Sequence, residues 1–247
     1  MLNIVVPLAG QGKSFMQAGY SFPKPLIDVN GKPMIQLVVE NLKPKSNHKF
    51  IFICLKEHYE KYSLSEIFDT ITHGNYECIQ LYGNTQGAAC TVLTAINFIN
   101  NDDELLIANA DQIVDQSVDK FIQFSRRSKM DGTIMTFLSS HPKWSYVRVD
   151  SSGNILEVAE KKVISNNATV GIYYFKAGKD FVRLAQKMIE KDIKTNNEFY
   201  ICPVFNELVL EGKKAKNFPI DKKDMHGMGT PEDLKQYLSY MENKKHL

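Results

Sequence analysis

Residues 2–14 read LNIVVPLAGQGKS, a stretch that runs from an apolar segment straight into a glycine loop. The β-branched run at residues 2–6 predicts a strand covered on both faces, and Pro7 with the glycine turn behind it ends that strand. The last three letters, GKS, are also the ending of a P-loop, which holds nucleotide phosphates. The kind of glycine loop present here therefore decides both the fold and the chemistry.

Two common phosphate-binding motifs fail at this loop. A P-loop, G-x-x-x-x-G-K-[ST], needs a glycine where Pro7 stands and a long helix from Lys13, but Gly19 and Pro23 follow too soon for such a helix. The dinucleotide fingerprint G-x-G-x-x-G fails because Phe15 takes the place of its third glycine. We therefore predict a different glycine turn, followed by a loop that carries two lysines.

The composition favours a globular chain with a sizeable core. Hydrophobic residues make up 43% and charged residues 23% of the 247 residues, and the net charge is +2 with the lysines scattered. We expect no nucleic-acid partner, because no basic stripe is present, and no membrane span, because no apolar run is long enough. The chain lacks a signal-peptide pattern, and its four well-separated cysteines favour free thiols over disulfides or a metal site. These features predict a cytoplasmic location.

Predicted strands and helices alternate through the first half of the chain. Apolar runs predict strands at residues 2–6, 49–55, 76–82 and 104–108, and helical periods predict helices at 31–42, 63–70, 87–99 and 118–127. The second half breaks the alternation, with strands at 133–138, 146–150, 155–159 and 168–175 and helices at 180–191, 203–211 and 231–242. Thr230 is the predicted N-cap of the last helix. This order predicts a three-layer α/β fold with a mixed, mostly parallel central sheet. Ligands bind outside the carboxyl ends of parallel strands, which selects the loops at 7–25, 82–87 and 109–113.

Five stretches of the sequence resemble one family in the same order. LAGQGKSF…FPKPLIDVNGKPMI, at residues 8–35, resembles the opening of the nucleoside-triphosphate transferases, the sugar-1-phosphate nucleotidyltransferases. The others are NTQGAACTVLTA (84–95), IANADQIVD (107–115), ILEVAEKK…NATVGIYYF (155–175) and GMGTPEDL (227–234). The resemblance covers nearly the whole chain. It implies one domain over 1–247 with a Rossmann-like nucleotidyltransferase fold, a nucleotide-binding half at 1–138 and an acceptor-binding half at 139–247 with a small antiparallel extension.

The resemblance implies transfer of an NMP group from an NTP to an acceptor phosphate, with Mg²⁺ as cofactor and pyrophosphate as the leaving group. Such a reaction needs positioning and charge neutralisation rather than a protein nucleophile. The resemblance also assigns residues to each substrate. Those against the nucleotide are Leu8, Ala9, Gly10, Gly12 and Ser14, with Gln86 and Gly87 against its base. Those against the acceptor are Glu160, Lys161, Gly171 and Glu198. Lys24 would face the phosphates and Asp111 would bind the metal. The plainer alternative for Lys24 is an exposed loop lysine, and the plainer alternative for Asp111 is a helix cap.

Two positions depart from the family pattern. The arginine of the family's first loop, G-x-G-[TS]-R-[LF], is Ser14 here, with Lys13 one residue earlier, so either Lys13 supplies that charge or activation is arranged otherwise. Many members also carry a second metal carboxylate just before the closing G-T, where this chain has Gly227. The candidate helpers of a one-carboxylate site are Asp221, Asp224 and His226.

Several functions remain open at this point. The stretches AGY…PKPLI and KWSY resemble a branch found with bacterial surface-polysaccharide genes, which implies an activated precursor for capsule or lipopolysaccharide made from CTP or another NTP. A cytidylyltransferase that acts on a non-sugar phosphate, such as phosphoglutamine for capsule phosphoramidate, is the named alternative. A non-catalytic nucleotide-binding homologue and a glycosyltransferase of similar fold are the others, although the chain lacks the D-x-D motif of the latter. Relatives often self-associate, so a homo-oligomer is a further expectation.

Overall fold

The opening strand of the chain lies in the middle of the sheet. In the computed structural model, which describes residues 1–10 and 12–245, β1 (Leu2–Pro7) pairs in parallel with its two neighbouring strands. The other strands are β2 (Asp28–Val29), β3 (Lys32–Pro33), β4 (His48–Leu55), β5 (Tyr76–Leu81), β6 (Glu104–Ala108), β7 (Gln112–Val114), β8 (Gly132–Leu138), β9 (Tyr146–Val149), β10 (Ile155–Ala159), β11 (Asn167–Phe175), β12 (Ala215–Pro219) and β13 (Met225–Gly227).

Helices follow most of these strands. They are α1 (Lys13–Gln17), α2 (Met34–Leu42), α3 (Lys56–Lys61), α4 (Leu64–Thr72), α5 (Ala88–Leu93), α6 (Ile96–Ile99), α7 (Val118–Ser128), α8 (Gly178–Glu190), α9 (Val204–Leu210) and α10 (Pro231–Lys245). Among the described residues, none of the helices combines the length and the apolar character that crossing a bilayer requires.

The central sheet is mixed and mostly parallel. Its strands lie in the order β12, β8, β11, β6, β1, β4, β5, with β11 antiparallel to both neighbours and the other pairs parallel. The β9–β10 hairpin attaches to the start of β11, and β7 pairs with β13 in a small separate ladder. This arrangement confirms the predicted α/β class and its mixed sheet.

Apolar side chains cover both faces of the sheet and produce three layers. On β1, Leu2, Ile4 and Val6 enter a core with α2, α4, α7 and α10, while Val5 enters a second core with α5, α8 and α9. Alternate residues of a strand point to opposite faces, so the consecutive apolar residues 4–6, which follow the buried Asn3, place apolar side chains on both faces of β1. The sequence of β1 therefore required helices on both faces.

The helix predicted at residues 87–99 is interrupted. Its two parts are α5 and α6, and between them the N–H groups of Thr94 and Ala95 bond to carbonyls three residues earlier instead of four. The Thr94 hydroxyl also donates to the carbonyl of Thr91 at 2.7 Å. A threonine that bonds to the backbone of its own turn weakens the α-helical pattern. The apolar period continues through the break, which explains why the pattern predicted one helix.

A bend in β11 shapes the second half of the site. The pairing register shifts between Thr169 and Tyr173, and Gly171 at the bend has φ of 91°. A Cβ at this position would lie 2.4 Å from Nδ2 of Asn109, which follows β6. Glycine meets both demands because it has no Cβ and accepts positive φ. The bend brings β11 against the loop after β6, at the carboxyl edge of the parallel strands.

Candidate active site

Two adjoining cavities open where β1 and β6 end. The first has a volume of about 600 Å³ and the second a volume of about 470 Å³. The residues that line both are Ala88, Asn109, Asp111 and Tyr200. Because these residues belong to both linings, a molecule in one cavity would lie directly beside a molecule in the other.

The loop after β1 forms one wall of the first cavity. Its start is fixed by the Leu8 N–H, which donates to the Ile53 carbonyl of β4 at 2.7 Å. The predicted nucleotide residues of this loop line the cavity, namely Leu8, Ala9, Gly10 and Gly12. The sequence excluded a long helix at Lys13, and the helix that begins there, α1, ends after five residues. The glycine loop is thus followed by a single short turn of helix and not by the long helix of a P-loop.

Three polar residues near this loop differ in their placement. Lys13 is exposed and lines the first cavity, whereas Ser14 is exposed and lies outside the linings of both cavities. Lys24 is half-buried, and its Nζ donates to Oδ2 of Asp111 at 2.7 Å. Since Asp111 lies in the loop after β6 and Lys24 lies in the loop after β1, this contact joins the two loops that border the first cavity.

The predicted base loop packs against the segment before α9. The Phe199 N–H donates to the carbonyl of Gln86 at 2.8 Å, and the exposed Gln86 lies outside the linings of both cavities. Gly87 lines the first cavity, and a Cβ there would lie 2.5 Å from the carbonyl oxygen of Phe199. Glu198, expected with the acceptor residues, lines the first cavity instead of the second. Glu198 nevertheless lies next to Tyr200, which lines both cavities, so the structure places it where the two cavities meet.

The remaining acceptor candidates converge on the second cavity. Glu160, Lys161 and Gly171 all line it. The Ser145 hydroxyl donates to the Glu160 carboxylate, and Lys161 Nζ donates to the hydroxyl of Tyr200 at 2.6 Å. Burial raises the pKa of the Glu160 carboxyl, and the Ser145 bond and the Lys161 charge offset only part of that rise. The cavity thus presents a cation and a carboxylate of raised pKa side by side.

A further ion pair in the second cavity escaped the sequence analysis. Lys143 Nζ donates to Oδ1 of Asp233 at 2.7 Å, and both residues line the cavity. Burial raises the pKa of the Asp233 carboxyl, but hydrogen bonds from Lys143 and Thr230 lower it by more, so the net shift is downward. The sequence predicted Thr230 as the cap of α10, and the Asp233 N–H bond to its hydroxyl confirms that cap. No sequence pattern indicated that Asp233 belongs to the cavity, because its partner Lys143 is 90 positions away in the chain.

The suggested helpers of a one-carboxylate metal site lie elsewhere. Asp221, Asp224 and His226 are outside the linings of both cavities. His226 pairs with Oδ2 of Asp115 at 3.1 Å and stacks on Tyr240 with ring centroids 4.2 Å apart. His226 thus faces Asp115 and α10 instead of either cavity, and a part for Asp221, Asp224 or His226 in metal binding stays a prediction. Within the described residues, no three His, Cys, Asp or Glu side chains gather into a group that could hold a metal by themselves.

Comparison with known proteins shows the family of the chain. The family described as nucleotidyl transferase matches residues 5–244, nearly the whole chain. The chain belongs to the nucleotidyl transferase family. Like other parallel α/β proteins, this nucleotidyl transferase has its cavities at the carboxyl edge of its sheet.

The curated relatives that the chain matches are longer than the chain itself. The chain is 24% identical over 246 residues to the bifunctional protein GlmU of Methanocaldococcus jannaschii, which covers 98% of the chain and 55% of GlmU. It is 26% identical over 205 residues to the mannose-1-phosphate guanylyltransferase catalytic subunit beta of Xenopus tropicalis, covering 78% of the chain and 55% of that protein. The chain therefore spans little more than half the length of these two relatives.

A solved structure supports the fold independently. The nucleoside-diphosphate-sugar pyrophosphorylase from Vibrio cholerae RC9 superposes with a TM-score of 0.83 at 22% identity, over 96% of this chain and 99% of that one. At this identity the likeness establishes the fold. It confirms the α/β arrangement predicted from the alternating elements.

Replacing Glu160 should show that its buried negative charge destabilises the folded protein. The usual pKa of a glutamate carboxyl is 4.5, and burial raises the pKa of Glu160 in the folded state. The folded protein therefore holds this proton more tightly than the unfolded chain does. The free energy of unfolding consequently falls as the pH rises from 4.5 through the raised pKa. Glu160→Gln keeps an acceptor for Ser145 and removes the charge. We expect its Tm to exceed that of the wild type by roughly 1–3 °C at about pH 7.5 and by less at about pH 4, measured by differential scanning calorimetry.

Glu157 provides the matched control for this measurement. It lies on β10, three residues before Glu160, is partly exposed, and pairs with Arg148 at the surface. Exposed pairs contribute little, so Glu157→Gln should leave the Tm nearly unchanged at either pH. A Glu160→Gln variant that is no more stable than the wild type at about pH 7.5 would contradict the stated cost of the buried charge.

Proposed function

We propose that this chain transfers the NMP group of an NTP to the phosphate of a small acceptor, a sugar 1-phosphate, with release of pyrophosphate. The observation that carries the proposal is the junction of the two cavities at Asp111, with Lys24 in contact. In this proposal the first cavity holds the NTP and the second holds the acceptor. Two substrates side by side let one displacement occur without a protein nucleophile.

The reaction that we propose is a single in-line displacement. An oxygen of the acceptor phosphate bonds to the α-phosphorus while the bond from that phosphorus to its bridging oxygen breaks, and pyrophosphate leaves with the electron pair. Gly10 and Gly12 would contribute backbone N–H groups to the triphosphate, and Lys13 and Lys24 would contribute positive charge. Lys24 is suited to this task because its Nζ can exchange the Asp111 carboxylate for a phosphate oxygen.

Asp111 and its surroundings fit the Mg²⁺ ion that the family implies. A Cβ at Gly229 would lie 3.1 Å from Oδ2 of Asp111, so the absence of a side chain there keeps the space beside the carboxylate open. Mg²⁺ is bound through one or two carboxylates and leaves its other positions to water and phosphate oxygens. Asp111 would hold the ion, and when bound the ion would neutralise phosphate charge.

The second cavity suits a small phosphorylated acceptor. In the proposal Lys161 faces the acceptor phosphate, Glu160 accepts hydrogen bonds from its hydroxyl groups, and Gly171 lets it approach β11. A volume of about 470 Å³ agrees with a ligand of monosaccharide phosphate size. Gly87 would meet the base of the NTP, which is CTP or another nucleotide, and Gln86, outside both linings, would have to reach the base from beside the first cavity. The wider role that we propose is supply of an activated precursor for bacterial surface polysaccharide.

A cytidylyltransferase acting on a non-sugar phosphate is the second candidate. The observation that favours it is the Lys143–Asp233 pair in the acceptor cavity. An amino-acid phosphate such as phosphoglutamine carries a carboxylate and an ammonium group, which could meet this cation and this anion respectively. A sugar phosphate has no comparable pair of opposite charges. The two candidates share the same chemistry at the α-phosphorus and differ in the acceptor.

Replacing Asp111 tests the proposed reaction directly. With Mg²⁺, the common NTPs and a panel of sugar 1-phosphates and amino-acid phosphates, the wild type should release pyrophosphate from at least one pair. Asp111→Asn removes the charge at the junction, and we expect it to lower kcat by about a thousandfold, or about 4 kcal/mol of activation free energy. The measurement is a coupled pyrophosphate assay on the pair that the wild type accepts.

Asp115 supplies the control for that experiment. This exposed carboxylate follows β7, binds the Tyr240 hydroxyl at 2.6 Å, and lies outside the linings of both cavities. Asp115→Asn should keep kcat within about threefold of the wild type. Release of pyrophosphate from no pair by the folded wild type would favour a non-catalytic homologue, and near-normal turnover by Asp111→Asn would remove Asp111 from the site.

Lys13 provides a separate test of how the triphosphate is neutralised. Lys13 lines the first cavity beside the position where the family has arginine. If it supplies that charge, Lys13→Ala should lower kcat by roughly 10- to 100-fold and Lys13→Arg should recover most of the loss. Lys43→Ala, which removes an exposed lysine at the end of α2, is the matched control and should have no effect. Full activity in Lys13→Ala would show that another group neutralises the leaving pyrophosphate.

A further inference from the structure

Two carboxylates, those of Asp111 and Asp233, border the same part of the second cavity. Asp111 follows β6, and the Met228 N–H donates to its carbonyl at 2.7 Å, which holds the segment after β13 against it. Asp233 lies in the first turn of α10, which begins just beyond this segment. Asp111 and Asp233 both line the second cavity, together with Gly227 and Gly229.

The two glycines leave room between these carboxylates. A Cβ at Gly229 would lie 3.1 Å from Oδ2 of Asp111 and 3.9 Å from Oδ2 of Asp233. A Cβ at Gly227 would lie 3.9 Å from Cγ of Asp233, so the Asp233 carboxyl is close to the place that a side chain at 227 would take. Both carboxylates therefore border one space that the missing side chains keep free.

Each of these carboxylates is neutralised by one lysine. Lys24 binds Oδ2 of Asp111 and Lys143 binds Oδ1 of Asp233, each at 2.7 Å. Lysine side chains are long and flexible, and their ammonium groups are point charges that exchange partners readily. Two carboxylates at one space, each with an exchangeable counter-charge, offer oxygen ligands of the kind that Mg²⁺ and Mn²⁺ prefer.

We propose that Asp233 is the second carboxylate of the divalent-metal site and acts together with Asp111, in the place that a side chain at Gly227 does not fill. The inference rests on the proposed function, since it assigns a further residue to the metal of that same site. It gives Lys143 a defined part as well: its ammonium group competes with the metal for Asp233. Asp233 would thus be delivered by the first turn of a helix and not by a strand.

Asp233 also has a structural part, and a test must separate the two. Its N–H and its carboxylate both bond to the hydroxyl of Thr230, which caps α10. Asp233→Asn keeps a polar group for the cap and removes the charge that a metal needs. Glu232→Gln, one residue earlier in the same turn, is the matched control because Glu232 lies outside the linings of both cavities.

Mn²⁺ alone is the probe, and the free ion is measured by its electron paramagnetic resonance signal. We expect the wild type to bind one Mn²⁺, Asp233→Asn to bind it about tenfold more weakly or worse, and Glu232→Gln to match the wild type. Adding Gly227→Asp to Asp233→Asn should restore most of the affinity. A Cβ at Gly227 has no closer neighbour than Trp144 at 3.7 Å among the described residues, so the new side chain has room. A purely structural Asp233 would show no such rescue.

Lys143→Gln gives a second measurement that leaves both carboxylates in place. Removing the competing ammonium group should tighten Mn²⁺ binding severalfold, whereas a structural ion pair would leave it unchanged. The inference is overturned if the wild type binds no Mn²⁺, or if Asp233→Asn binds it as tightly as the wild type does. Failure of the proposed function would look different. The variants would show the expected changes in Mn²⁺ affinity relative to the wild type, yet no pair of NTP and acceptor would release pyrophosphate.

Discussion

The contact between Lys24 Nζ and Asp111 Oδ2 is the interaction on which the geometry of the site depends. It joins the loop after β1 to the loop after β6, two neighbouring parallel strands, at the place where the two cavities meet. Each side chain is 22% exposed, so the pair is shielded from solvent more than an ordinary surface pair. Either partner can be taken over by a charged ligand, because a phosphate attracts the lysine and a cation attracts the carboxylate. The contact therefore marks where we propose that the triphosphate and the metal enter.

The reversed strand β11 makes the second cavity possible. A wholly parallel sheet would carry a helix after every strand, but β11 runs antiparallel beside β6, and its bend at Gly171 lies against Asn109. The β9–β10 hairpin attaches to the start of β11 and ends beside Glu160 and Lys161. The proposed nucleotide and acceptor sites consequently share one edge of one sheet, with no hinge needed between them. The second carboxylate that we infer, Asp233, reaches the same edge from α10.

Much of the fold could be predicted from the sequence, because its determinants are local. The apolar run of β1, the periodic helices and the cap at Thr230 can each be predicted from residues that are neighbours in the sequence. The residues of the candidate site could be predicted only in part. Loop residues that carry a family motif could be named, but Lys143 and Asp233 meet across 90 positions of the chain, and no local pattern records such a contact. Glu198 illustrates the same limit, since its neighbours in sequence point to the acceptor region while the packing of its segment puts it in the first cavity.

A crystal structure of the complex with Mn²⁺ and a non-hydrolysable NTP analogue tests the central claim most directly. We expect the triphosphate in the first cavity beside Gly10 and Gly12, with Lys24 Nζ moved from Asp111 to a phosphate oxygen. We also expect an anomalous Mn²⁺ peak beside Asp111, and the α-phosphorus open to the second cavity. A triphosphate bound elsewhere, with the contact between Lys24 and Asp111 intact, would contradict the account.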